Sequence, residues 1–461
     1  ASIFLLFPLA ALCITFFRNI VGFKSFGTFM PMLVAAACRF TGIGLGLLTF
    51  FSVLMIALVT HHWLGKARLL KIPRLAAVIT TVTLLSLVLV SSLGLTESEF
   101  ELGVIALFPV VIISFTADRL HRLVEDRDWM DILLHFAGTI SLVLVCYLVF
   151  SSLLLRGVFA LFPELLIVVL ALQIFIGRWT GVRASEYLRF WQLIQHSGAS
   201  VLSMNARNRE LVMVKNPRQL IQIANDKLHS KAMLKNLDVP VAPTLQRYDT
   251  QFDYQHLAAD LRELDRFVIK PNHGSRGNGI LVIRDSTDTT GGDKIWIDAS
   301  GKLLTLDDIR THIQMILAGK FASNNQHDTA FIEPLLVQHE LINDIALFGL
   351  SDIRVILHDG QPIACMWRVP TTHSNGKANL HQGAVGVSID LETGMTMRAR
   401  GKAGVIENHP DTDQPLVGIQ MPFWPEIITM AKNCYLAVPL GYLGVDISID
   451  QTMGPVVLEI N

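Results

Sequence analysis

The sequence predicts a multi-domain chain, an all-α seven-helix transmembrane bundle followed by an α+β domain with antiparallel sheet. Two observations predict it. Residues 1 to about 190 are mostly long apolar runs, whereas the remainder of the 461 residues has the mixed composition of a water-facing domain. In that remainder, short apolar runs alternate with turn dipeptides, the pattern of hairpins. The chain is 51% hydrophobic and 17% charged with a net charge of −1, so it lacks the basic excess of a nucleic-acid binder. Its five cysteines include no CxxC pair, and nothing in their spacing suggests a disulfide framework or a zinc site.

Apolar segments of spanning length lie near residues 1–17, 41–60, 75–94, 131–153 and 157–177, with shorter ones at 25–38 and 102–117. Seven crossings place 12 basic residues in one set of connections (Arg18 and Lys24; Lys66, Arg68, Lys71 and Arg74; Arg119, Arg122 and Arg127; Arg178, Arg183 and Arg189) and 2 in the other, Arg39 and Arg156. By the positive-inside rule the chain starts outside and the C-terminal domain is cytoplasmic. Reading 25–38 as re-entrant would break the alternation. At membrane depth only His135 and Glu164 are ionisable, which favours an anchor or scaffold over a conduit. Residues 118–129 read as an interfacial or solvated connecting helix, and 178–191 as a basic, aromatic exit at anionic headgroups. The expected division is 1–180 for the bundle, 181–191 for a basic linker and 192–461 for the second domain. The chain begins mid-run at Ala1 and stops at Asn461 directly after a strand, so both ends read as truncated.

The second domain is organised around FVIKPNHGSRGNGILVI, residues 267–283. An apolar run ends in Lys270, a glycine-rich loop follows, and a second apolar run closes it: strand, loop, strand. Glycines at 274, 277 and 279 let backbone N–H groups approach an anion, Ser275 and Arg276 add donors, and Lys270 adds a point charge. The plain alternative is a Gly-Asn hairpin with an exposed lysine. A Walker A loop is excluded because no Gly-Lys-Ser/Thr ends it, and a Rossmann turn because no helix follows. Upstream, Asp226 precedes a helical pattern from Lys227. Downstream, Phe331-Ile332-Glu333-Pro334 reads as a buried strand ending in an acid, and 352–369 as a hairpin turning at Asp359-Gly360.

The closing hairpin carries Asp446 on one strand and Glu459 and Asn461 on its partner. Positions two apart leave one face of a strand, so these oxygen donors converge as Mg²⁺ requires; acids on a wet sheet face are the plain alternative.

Lys227 in NDKLHSK, Lys270 before HGSRGNG, Glu333, the DIR at 352–354, ANLHQGA at 378–384 and the closing Asp446, Glu459 and Asn461 occur in one order. Over about residues 192–461 this series resembles the ATP-grasp superfamily, in its ribosomal-S6-modifying and α-L-glutamate-ligase-like branch. The resemblance implies ATP, and Mg²⁺ as two ions that Mn²⁺ can replace. It makes Lys227 and Lys270 the nucleotide lysines and Gly274–Gly279 the loop over the phosphates. Glu333 becomes the adenine hinge, with Gln338-His339-Glu340 as alternative, and Asp352 the ribose contact. Arg354, Arg368 and Asn379 would line the acyl-phosphate region, His381 the substrate, and Asp446, Glu459 and Asn461 the metal. The implied reaction joins a carboxylate acceptor to an amino acid or other amine through an acyl phosphate, with His381 and His273 as candidate bases. The rival is an ATP-binding regulator of the bundle. The first half resembles the seven-helix region of inactive-transglutaminase-like membrane proteins, typically encoded beside such a ligase; the chain resembles a fusion of the two. Its expected partners are therefore the lipid bilayer and products of a neighbouring gene cluster.

Overall fold

A computed structural model describes residues 3–65, 71–92, 129–197, 201–274, 277–288, 294–322, 327–347, 349–402 and 404–461. The chain forms two compact units, Ala1–Glu210 and Leu211–Asn461. The division thus falls beyond the segment 181–191, which the composition marks as a linker; there the helix Ala184–Ser197 forms instead.

All the regular secondary structure of the first unit's described residues is helical. Phe4–Val21 and Met130–Ser151 are each long and apolar enough to cross a bilayer. The stretch expected as one span at 157–177 is broken: Leu153–Leu161 and Leu165–Arg178 meet at 108°. Pro163 lies at the break, where it offers no N–H to continue a helix. Two helices, or three with the bent pair taken as one, therefore qualify as spans among the described residues, against seven expected. The segment at 25–38 corresponds to Met30–Thr41, a helix of 12 residues. Helices Ile43–Gly65 and Lys71–Ser92 take up the segments at 41–60 and 75–94 from residue 43 and up to residue 92 respectively. The segment 102–117 and the charged stretch from 118 to 128 lie outside the described residues. His135 is a packing residue here: it stacks near Phe26 and its Nδ1 lies 2.8 Å from the Asp131 carbonyl.

The second unit is α+β, with two antiparallel sheets. The first comprises β1 (Gln246–Tyr248), β2 (Phe267–Pro271), β3 (Leu281–Asp288), β4 (Lys294–Asp298), β5 (Leu303–Leu304) and β6 (Ala330–Pro334), in the order β1-β6-β2-β3-β4-β5. The second comprises β7 (Asp352–His358), β8 (Gln361–Val369), β9 (Val385–Ile389), β10 (Thr396–Gly401), β11 (Gly404–Ile406), β12 (Tyr442–Asp450) and β13 (Gly454–Ile460), in the order β11-β10-β9-β8-β7-β12-β13.

Strict alternation fixes which face of the second sheet is core. Ile353, Val355 and Leu357 of β7, Trp367 and Val369 of β8 and Val385 and Val387 of β9 pack with the helix Trp424–Ala437, all buried. The intervening residues face the other way. The β7–β8 turn takes positive φ at both Asp359 (48°) and Gly360 (79°), the twist-matched geometry that the Asp-Gly dipeptide predicts. A capping box at Thr305 and Asp308 starts the amphipathic helix Leu306–Leu317, which packs its apolar stripe on the first sheet.

Candidate active site

The strand–loop–strand unit forms as the sequence predicts: β2 and β3 pair with Phe267 opposite Ile283, and the glycine-rich loop joins them. Ser275 and Arg276 lie outside the described residues. Glu333 of β6 stands opposite Val268 of β2, on the same face as Lys270 two residues on, so Glu333 and Lys270 rise side by side. Lys270 Nζ is 2.6 Å from Glu333 Oε2. Lys231 Nζ contacts Glu333 Oε1 and donates to the Ala242 carbonyl at 2.9 Å. Glu333 is only 2% exposed and is thus a buried carboxylate between two lysine side chains. Burial pulls the Lys270 ammonium down to about 8, with Glu459 acting the other way. Burial, then the charge of Lys270, pulls Lys231 down to about 6.

The helix Lys227–Lys235 is capped by Asp226, whose side chain accepts from His229 N. Lys227 Nζ reaches the carbonyls of Asn272 and Gly274 at the loop's root and lies 4.0 Å from Glu459. Burial lowers its pKa, opposed by Glu459 and Asp328. Beside it, His273 Nδ1 lies 2.8 Å from the buried Asp328, which also accepts from His273 N.

The facing wall is the outward side of the second sheet. Its register sets Asp352 opposite Arg368, Arg354 opposite Asp446, and Asp446 opposite Glu459. Arg354 donates from Nε and Nη2 to the two oxygens of Asp446, each at 2.6 Å. Arg368 donates to both oxygens of Asp352 and reaches Asp446 Oδ2 at 2.9 Å. Asp446 is 1% exposed; burial pushes its carboxyl up, but Arg354 and then Arg368 outweigh that and hold it below the usual carboxylate range. Burial, then the charge of Asp446, pushes Glu459 up instead.

Both walls line one cavity of about 1310 Å³. Of the residues singled out in the sequence, Lys227, Lys270, Gly274, Gly277, Glu333, Asp352, Arg354, Arg368, Asn379, His381, Asp446, Glu459 and Asn461 line it. Gly279 does not: its carbonyl meets His312 Nε2 at 2.9 Å, and its Cα faces Phe321. Three expectations meet unexpected surroundings. Glu333 spends its side chain on two lysines, so a hinge role there would fall to backbone atoms. Asp352 has both oxygens on Arg368, with which a ribose hydroxyl would have to compete. In the alternative hinge, Gln338 is tied by its amide to the Ala346 and Gly349 carbonyls, and His339 N donates to Ile449 O.

Glu459 and Asn461 offer hard oxygen donors at the cavity wall, and the unfavourable facing of Glu459 and Asp446 is one that a divalent cation relieves. This donor chemistry fits Mg²⁺. The set reaches three only through the Asn461 amide, since no cluster of three His, Cys, Asp or Glu occurs among the described residues.

Sequence reading missed Lys231 and Asp328. The first was within reach, being four residues beyond Lys227 on the same helical face. Asp328, an isolated acid before a strand, carries no local signal.

Two sheets gripping a cavity between a lysine-bearing loop wall and a carboxylate–arginine wall define an ATP-grasp architecture. The sugar-transfer associated ATP-grasp family matches residues 206–461, more than half of the chain, and the chain belongs to it. Residues 2–194 match a model described as 7 transmembrane helices usually fused to an inactive transglutaminase. Comparison with curated proteins gives no match. Among solved structures, the chain is similar to D-alanine–D-alanine ligase from Bacillus anthracis, at 15% identity over 53% of this chain and 59% of that one, with a TM-score of 0.29. It is similar to the ATP-grasp ligase PsnB complexed with minimal precursor, at 14% identity over 66% of each chain, TM-score 0.28. It is also similar to the D-cycloserine synthetase DcsG, at 14% identity over 62% of this chain and 76% of that one, TM-score 0.30. The chain thus spans less than two thirds of the length of the D-alanine–D-alanine ligase it matches.

Proposed function

We propose that the chain is a membrane-tethered, ATP-dependent carboxylate–amine ligase, with its second unit on the cytoplasmic face of a bacterial inner membrane. The observation that carries this reading is the cavity's two-sided positive charge: Lys227 and Lys270 on one wall, and Arg354 and Arg368 on the other. That arrangement suits a polyphosphate whose terminal group must be transferred, because phosphoryl transfer demands positioning and neutralisation of the equatorial oxygens. A substrate carboxylate oxygen attacks the γ-phosphorus and ADP leaves. The amine nitrogen then attacks the acyl carbon of the mixed anhydride, and inorganic phosphate leaves. Lys270 and the backbone amides of the glycine loop hold the β- and γ-phosphates, and Arg354 and Arg368 orient the carboxylate against them. Asp446 fixes both guanidiniums in place, so little reorganisation accompanies the reaction. Glu459, Asn461 and Asp446 would hold Mg²⁺, which would supply neutralisation of phosphate charge. His273, oriented by Asp328, and His381 at the opposite edge are the groups that can carry the amine's proton.

Trapping tests the reading. Full-length protein in nanodiscs receives MgATP, a pool of amino acids, membrane extract and hydroxylamine. A hydroxamate formed in step with ADP supports an acyl phosphate. Bound ATP with no hydroxamate under any mixture favours a regulator of the helical unit that binds ATP without turning it over.

A further inference from the structure

The row of side chains that holds the reacting centre does not end at it. Followed outward through the register, Glu459, Asp446 and Arg354 are succeeded by Met366, Ser388 and Arg398 on β8, β9 and β10. The adjacent row runs from Asp352 through Arg368 and Gly386 to Arg400. Residues paired across antiparallel strands share a face, so Arg398 and Arg400 stand on the same side of the sheet as Arg354 and Arg368. Between the two pairs of arginines the floor is low: Met366, Gly386 and Ser388 are partly exposed, and Ser388 folds its hydroxyl down onto the Arg398 carbonyl at 3.2 Å. Leu380 stands over Gly386 and so narrows the second row.

Arginines near a sheet edge ordinarily serve only to keep it solvated. Here the edge strand is β11, not β10. Arg398 and Arg400 are exposed, and neither is ion-paired among the described residues, in contrast to Arg354 and Arg368, which are held by Asp446 and Asp352. Lys402 continues the basic run at the end of β10.

We propose that this outward face binds an extended acceptor carrying repeated anionic groups, with one carboxylate at Arg354 and Arg368 and a second anionic group at Arg398 and Arg400. The assignment rests on the ligase reading and names its substrate class. Three strand steps separate Arg354 from Arg398 and two separate Arg368 from Arg400, about 14 and 10 Å at ~4.8 Å per step, which a single amino acid does not bridge and an oligomer does.

The test is equilibrium binding, without turnover, of fluorescein-labelled hexa-L-glutamate and of a labelled glycerol-phosphate oligomer to the full-length protein in nanodiscs with ADP. Wild type is compared with Arg398→Ala/Arg400→Ala and with Arg262→Ala/Arg310→Ala, which removes the same charge from the other sheet's side. The proposal predicts binding of at least one probe that weakens tenfold or more in the first variant and changes less than twofold in the second. Which probe responds tells carboxylate from phosphate. Equal weakening in both variants, or no binding of either probe by wild type, overturns it. Hydroxamate trapping reads the ligase reaction separately, so failure of either idea is distinguishable from failure of the other.

Discussion

Arg354 and Asp446, opposite each other on β7 and β12, are joined by two parallel hydrogen bonds of 2.6 Å. Because Asp446 is buried, this pair organises the carboxylate wall more than it contributes net stability. Removing one partner is a different matter. Arg354→Ala should lower the unfolding free energy of the second unit by about 3 kcal/mol, since Asp446 is left with Arg368 alone. Arg354→Lys should recover part of that stability but little activity, because an ammonium cannot form the fork. Denaturant titration beside hydroxamate yield separates the two effects.

Lys270 gives a pH signature. Its pKa is lowered by burial to about 8, so the ammonium is present below that pH and lost above it. ATP affinity should therefore be flat up to about pH 8 and then fall by as much as ~tenfold per pH unit, the limit for one required proton. Linkage gives the protein itself the opposite trend. The unfolded lysine keeps its proton to near 10.5, so stability rises with pH between about 8 and that value. Nucleotide titrations from pH 6 to 10 check the first trend, and melting without nucleotide checks the second.

Glu333 neutralises Lys231 and Lys270 together. Glu333→Gln leaves the buried Lys270 ammonium without its nearest counter-charge, and below about pH 6 that of Lys231 as well. The fall in ATP affinity should then begin below pH 8, and stability at neutral pH should drop by about 3–5 kcal/mol. A pH profile unchanged from wild type would assign Glu333 no influence on Lys270.

Gly360 provides a control remote from the chemistry. Its φ of 79° and the approach of a built Cβ to 2.7 Å from Tyr435 Cδ1 leave no room for alanine. Gly360→Ala should cost at least about 1–2 kcal/mol of stability while leaving ATP affinity within twofold of wild type.

Local chemistry made part of this molecule legible in its sequence. Lys270 and Gly274 could be placed because a strand, a glycine loop and a second strand are short-range features. Asp359-Gly360 announced its turn for the same reason, and Glu459 and Asn461 shared a face by the period of a strand. What stayed hidden depends on long-range register. Arg354 finds Asp446 across 92 positions, and Glu333 finds Lys231 and Lys270 from two other elements. The bent pair at 153–178 misled for another reason: hydropathy records how apolar a segment is, not whether Pro163 turns it through 108°.

The most direct test of the central claim is phosphate release by the full-length protein in membranes, supplied with MgATP, an amino-acid pool and membrane extract, with Glu459→Gln alongside. The account predicts release that requires an amino acid and disappears in the variant, with a new amide in the extract by mass spectrometry. Release that ignores the amino acid, or that persists in Glu459→Gln, would contradict it.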